Sequence, residues 1–171
     1  MHNQAGEENI VKSVVWFLAL GAVAAALSAP PALRPVDEKS YPGLIAAQKG
    51  KLLVVNFWAT WCAPCREEMP QLAKLAQKYR ARGLELVTIS CDEPEQAARA
   101  VQFLITAGIS SANAYIKSTA DDDRFISSVD PKWSGALPAL FIYDHNGKLM
   151  RSFIGETDIS ALEKSILRLL D

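Results

Sequence analysis

The chain has 171 residues and a formal net charge of −1, with 50% hydrophobic and 22% charged residues. This length fits one domain. The hydrophobic share excludes a disordered chain, three cysteines are too few for a disulfide-rich mini-protein, and near-zero charge argues against a nucleic-acid binder, which needs a basic surface to neutralise phosphates.

Ser13 to Leu33 carries no charged residue, and Val14 to Leu27 is almost wholly apolar. A secretory signal has an apolar core followed by small residues at a cleavage site. Ala24, Ala26 and Ser28 supply those small residues, although Lys12 is offset by Glu7 and Glu8. The stretch also approaches the roughly 20 residues of a membrane helix. Residues 1–29 are therefore expected to be a signal peptide or an uncleaved N-terminal anchor. Either places the remainder in the periplasm or another extracytoplasmic space, with anchoring to the inner membrane in the second case. Residues 30–42, with Pro30, Pro31, Pro35 and Pro42, read as a linker. The domain is expected over 43–171.

Within the domain, Leu44 to Gln48 predicts a short helix. Lys51 to Trp58 is an apolar, β-branched run suited to a buried strand. Ala63 to Arg82 predicts a helix, with Leu72, Leu75, Ala76 and Tyr79 along one face and Gly83 as its stop. Leu84 to Ser90 predicts a second buried strand. A helix is expected from Asp92 or Glu93 to Ala107, with Pro94 at its start. Ala114 to Ile116 is a weak strand, and Ala120 to Val129 a helix. Ala139 to Asp144 and Lys148 to Ile154 predict a hairpin turned at Asn146-Gly147. Ile159 to Leu170 closes the chain as an amphipathic helix. The β-α-β-α order implies parallel central strands, and the hairpin adds antiparallel ones. The expected fold class is an α/β sandwich with a mixed central sheet flanked by helices.

Cys62 and Cys65 form a C-x-x-C between a strand end and a helix start, in Asn56-Phe57-Trp58-Ala59-Thr60-Trp61-Cys62-Ala63-Pro64-Cys65. At a helix N-terminus, unpaired N–H groups and the macrodipole favour an anion, so Cys62 is placed to react as a thiolate. Cys65, one turn further in, is within disulfide reach and less exposed. The spacing yields one nucleophile and one resolving thiol. Two other readings compete. A zinc site needs about four ligands, and only Cys91 and His145 add ligand types. A static disulfide across so short a loop constrains little chain.

At these residues the chain resembles the thioredoxin-like superfamily, and Asn56 to Pro70 (NFWATWCAPCREEMP) looks most like its exported thiol–disulfide oxidoreductases of the TlpA/ResA type. The resemblance covers about Gly43 to Asp171 and implies a thioredoxin-like sandwich. It implies that Pro138 is the cis proline beside the disulfide, with Leu137 as the backbone contact for an extended substrate. Trp61, Ala63 and Pro64 are the other expected substrate-facing residues. General thioredoxins carry a buried Asp where this chain has Asn56. The TlpA/ResA type instead has a Glu three residues after the second cysteine, which makes Glu68 the expected proton-handling group for Cys65; the competing reading is a solvated helix carboxylate like Glu67. Pro70 is expected to kink the helix.

The implied activity is reduction of client-protein disulfides, for example in cytochrome c maturation. No cofactor is implied beyond the Cys62–Cys65 disulfide, and no metal. The expected partners are client thiols and disulfides and an upstream membrane or exported redox protein, with the chain itself a monomer. A disulfide oxidase or isomerase, and a metallochaperone holding copper or zinc in the C-x-x-C, are the alternatives. Cys91 is expected to be an inert buried thiol, Asp121-Asp122-Asp123 an acidic helix start rather than a calcium loop, and His145 an exposed turn residue. Trp133 is expected either to line the substrate groove or to fill the core.

Overall fold

The computed structural model describes residues 32–171; the segment expected to be a signal or anchor lies outside them, as do Pro30 and Pro31. No helix among the described residues is long and apolar enough to cross a membrane.

Six strands form one sheet: β1 (Arg34–Val36), β2 (Leu52–Trp58), β3 (Leu84–Ser90), β4 (Ala114–Lys117), β5 (Ala139–Tyr143) and β6 (Leu149–Ile154). Their spatial order is β1-β4-β3-β2-β5-β6. β1, β4, β3 and β2 run parallel, while β5 and β6 add antiparallel. Among the described residues five α-helices cover the sheet: α1 (Tyr41–Ala46), α2 (Ala63–Tyr79), α3 (Ala97–Thr106), α4 (Asp122–Val129) and α5 (Ile159–Leu170).

β2 lies inside the sheet and is buried at every position. Its side chains alternate between faces. Leu53, Val55 and Phe57 join one core with Tyr41, Leu44 and Ile45 of α1 and Phe125 and Val129 of α4. Leu52 and Val54 meet α2 and α5 on the other face, where Trp58 packs with Cys62, Cys65, Met69 and α3. Phe57 anchors an aromatic block, with ring centroids 4.7 Å from Trp133, 5.6 Å from Phe141, and 6.1 Å from Tyr41 and Phe125. Trp133 is thus a core residue and not a wall of the groove; its indole N–H donates to the Ala136 carbonyl at 2.9 Å.

The structure differs from the sequence reading mainly at the domain's start. Arg34–Val36, assigned to the linker, form β1 against β4, and Val36 is buried. Helix α1 begins at Tyr41, not Leu44, with Pro42 in its first turn, where no hydrogen bond is lost. Tyr41 is buried and its hydroxyl meets that of Tyr143 at 2.7 Å. The folded unit therefore reaches back through the expected linker. Helix α2 ends at Tyr79; Arg80–Arg82 follow as a 3-10 turn. The helix expected from Asp92 or Glu93 opens as a 3-10 turn at Pro94–Gln96 before α3. Pro70 lies inside α2 without ending it.

Candidate active site

The end of β2 delivers the C-x-x-C. The Cys91 N–H, just beyond β3, donates to the Trp58 carbonyl at 2.7 Å and prolongs the strand pairing. The chain then turns: the Cys62 N–H donates to the Ala59 carbonyl at 3.1 Å. Cys62 is the N-cap of α2, with extended backbone, and its Sγ accepts the Cys65 N–H at 3.3 Å. Pro64 occupies the first turn, where its missing N–H has no partner to lose.

Cys62 and Cys65 are joined as a disulfide with Cα atoms 5.3 Å apart. Cys65 is fully buried and Cys62 keeps 6% of its surface, so the outer sulfur is the one an approaching molecule meets. Trp61 beside it is 65% exposed. Ala63 is exposed and Pro64 half-buried. The helix N-terminus directs the Cys65 N–H at Cys62 sulfur, which favours negative charge there when the bond is reduced.

The loop before β5 closes the other side. The Leu137–Pro138 peptide is cis. Leu137 packs against the cluster that contains Cys62 and Cys65. Trp61, Cys91, Ile126, Gly135 and Leu137 line a groove of about 410 Å3, with Glu93, Lys117 and Asp122 also at its walls. Gly135 has φ +83°, and a Cβ there would come within 2.7 Å of the Ile126 side chain. Glycine is therefore required for the turn that presents Leu137.

Beneath the disulfide, Glu68 is buried while its neighbour Glu67 is exposed. The reading of Glu68 as a solvated carboxylate is thereby excluded. Asn56 and Glu68 face each other because Asn56 shares the α2-facing side of β2 with Val54 and Trp58, and Glu68 lies three residues after Cys65. Asn56 Nδ2 donates to Glu68 Oε1 at 3.4 Å, whereas Glu68 Oε2 and Asn56 Oδ1 are buried without a partner. Burial raises the Glu68 pKa above the ordinary carboxylate value, opposed by Thr157 and Asn56; the Thr157 hydroxyl itself does not reach hydrogen-bond geometry.

Of the remaining residues, Cys91, expected to be a buried thiol, is half-buried and lines the groove. Burial pushes the Cys91 thiol up to about 12. Asp121 caps α4 by accepting the Arg124 N–H, and Asp122 pairs with Lys117. His145 is exposed in the β5–β6 turn. Among the described residues no three His, Cys, Asp or Glu side chains cluster to hold a metal.

Sequence reasoning passed over Asp92, which was expected only to open a helix. It is 1% exposed. Its carboxylate accepts the Thr60 N–H at 3.1 and 3.0 Å, the Thr60 hydroxyl at 2.8 Å and the Ser90 hydroxyl at 2.7 Å. No local pattern pairs residues 60 and 92; the parallel register of β2 and β3 does so.

Residues 36–152 match the AhpC/TSA family. The thiol-disulfide oxidoreductase ResA of Bacillus cereus (strain ZK / E33L) is 35% identical over 115 residues, covering 67% of this chain and 61% of that protein. ResA of Bacillus anthracis is 33% identical over 116 residues, with the same coverage. The chain thus spans about three fifths of the length of these curated relatives. A solved thiol:disulfide interchange protein of the thioredoxin family from Chlorobium tepidum TLS superposes with a TM-score of 0.60 at 24% identity, over 84% of this chain and 99% of that one. That likeness shows the thioredoxin-like fold.

Proposed function

From the premise that this chain belongs to the AhpC/TSA family of thioredoxin-like proteins, we propose that it is a thiol–disulfide oxidoreductase with Cys62 as nucleophile and Cys65 as resolving thiol. The observation that carries this is the Cys62–Cys65 disulfide at the α2 N-terminus, its outer sulfur beside the exposed Trp61. The ResA relatives carry the same activity in their names.

In the reducing direction, the Cys62 thiolate attacks one sulfur of a client disulfide. A mixed disulfide forms and the other client sulfur leaves as a thiolate. Cys65 then loses its proton to Glu68 and attacks Cys62 sulfur, which releases the second client thiolate and closes the Cys62–Cys65 bond. Both electrons of the client's reduction come from the cysteine pair, so an upstream exported or membrane redox partner must reduce it again. The raised pKa of buried Glu68 suits this role, because it narrows the gap between carboxyl and thiol across which the proton moves. The client lies extended along the groove, against Trp61, Ala63, Pro64, Leu137 and Pro138. No cofactor enters this cycle.

Residues 1–29 are read as the export signal or anchor, which places the monomeric domain outside the cytoplasm. Cytochrome c maturation is the client class that the resemblance to the TlpA/ResA type implies.

The test is insulin-disulfide reduction by wild type and Cys62→Ala. Full activity in the variant would sink the assignment. Cys65→Ala is expected to accumulate Cys62-linked clients on non-reducing gels. A reduction potential near −270 mV, like a dedicated reductant, supports the reducing direction, and one near −120 mV makes the protein an oxidant.

A further inference from the structure

We propose that Asp92 is the positioning residue for Cys62. This rests on the thiol–disulfide reading above and adds to it the element that fixes the nucleophile.

Ala59 to Cys62 is a four-residue turn closed by the Cys62 N–H on the Ala59 carbonyl. Thr60 is its second residue. A turn of this kind leaves the second residue's N–H unused by the turn's own hydrogen bond. Buried as it is, that N–H needs a partner. Asp92 supplies it through both carboxylate oxygens and takes the Thr60 hydroxyl as well. The carboxylate is itself tethered twice, since the Ser90 hydroxyl donates to Oδ2 and the Asp92 N–H donates back to Ser90 Oγ at 3.1 Å. One residue earlier, the Cys91 N–H holds the Trp58 carbonyl. Two consecutive residues at the end of β3 thus grip the chain on either side of Ala59.

The chemistry proposed above needs Cys62 sulfur at the helix N-terminus, where it accepts the Cys65 N–H. The stabilisation of a thiolate by N–H groups falls off within the first turn. A turn free to rotate about Thr60 would carry Cys62 away from the Cys65 N–H that its sulfur accepts. Three donors, the Thr60 N–H shared by both oxygens and the Thr60 and Ser90 hydroxyls, satisfy the buried carboxylate of Asp92, and its loss frees the turn they hold. A charge left buried for packing alone would be replaced at little cost by an apolar residue; here every acceptor site is directed at the turn or at its tether.

The experiment follows Cys62 alkylation by iodoacetamide against pH in the reduced full chain, with the labelled peptide mapped by mass. Asp92→Ala is expected to raise the Cys62 titration midpoint by about one pH unit and so to slow alkylation about tenfold at neutral pH. Asp92→Asn keeps an acceptor for Thr60 and is expected to titrate near wild type. Thr60→Val, which loses only the hydroxyl, is expected to fall between them. Should Asp92→Ala fail to fold, the Asn and Val variants decide. A lowered thermal midpoint with an unmoved Cys62 titration in Asp92→Ala overturns the proposal, as does a downward shift in Asp92→Asn, which would make charge the cause. Wild type that alkylates at Cys62 yet fails to exchange disulfides refutes the functional reading alone.

Discussion

Asn56 donates to Glu68 at 3.4 Å and so joins the central strand to the helix that begins at the Cys62–Cys65 disulfide. The bond falls on Oε1, while Oε2 is buried with no partner within hydrogen-bond distance. Burial outweighs what Thr157 and Asn56 give the charged form, so the folded protein holds this proton more tightly than the unfolded chain does.

That difference sets a pH dependence. The Glu68 pKa is raised in the folded state by burial. The stability linked to its protonation is fully present below the ordinary value of 4.5 and is lost as pH rises through the folded value. Glu68→Gln removes the titration while keeping an acceptor for Asn56. The variant is expected to exceed wild type by about 1 kcal/mol at pH 8, with the gap closing towards pH 4. Urea denaturation across that range checks it; a gap that widens on acidification would contradict the burial of an ionisable group.

Cys91 separates thiol count from thiol reactivity. With its thiol pushed up to about 12 by burial, it carries almost no thiolate near neutrality. The oxidised native protein is expected to react with a thiol-specific chromogenic disulfide only over hours at pH 8. The same protein in denaturant should release one equivalent at once. Rapid native labelling would show that the sulfur is reachable from the groove that Cys91 lines.

Trp61 has little to lose from truncation within the fold, since most of its surface faces solvent. Trp61→Ala is expected to change stability by less than about 0.5 kcal/mol. Its effect should fall on client recognition, raising KM for a protein disulfide several-fold with smaller change in kcat. An unchanged KM would remove Trp61 from the docking face.

Phe57 is the opposite case. It is fully buried and touches four aromatic rings. Phe57→Ala is expected to cost about 3–5 kcal/mol, measured as a lowered urea midpoint. A loss under about 1 kcal/mol would mean that Trp133 and Phe141 collapse into the space.

Strong local signals explain which parts were legible in the sequence. β2 and β3 are unbroken apolar runs, α5 has a full amphipathic period, and the C-x-x-C lies between a strand and a helix. The limits of α5 match the expected Ile159–Leu170. β1 has no such signal. It is three residues long with Pro35 at its centre, and its partner β4 lies far along the chain; an edge strand tolerates the proline because one side needs no ladder bond. Asp92 was hidden for a similar reason. Its sequence context, an acid before Glu-Pro, reads as a helix start, and only the pairing of β2 with β3 reveals that it faces Thr60. Trp133 was ambiguous because a tryptophan near the proline loop fits groove or core equally, until the contact with Phe57 assigns it.

The two-residue alternation of β2 has a consequence for mutation. Its odd positions address the aromatic block, and its even positions address the opposite face, Leu52 and Val54 against α2 and α5 and Trp58 against the cysteine pair. Substitutions at Leu53, Val55 or Phe57 therefore act chiefly on how firmly the scaffold holds together. Those at Asn56 or Trp58 act on the surroundings of the sulfur chemistry. Trp58 belongs to both accounts, since it is fully buried as well as packed on the cysteine pair, so its replacement would loosen the scaffold and the site together.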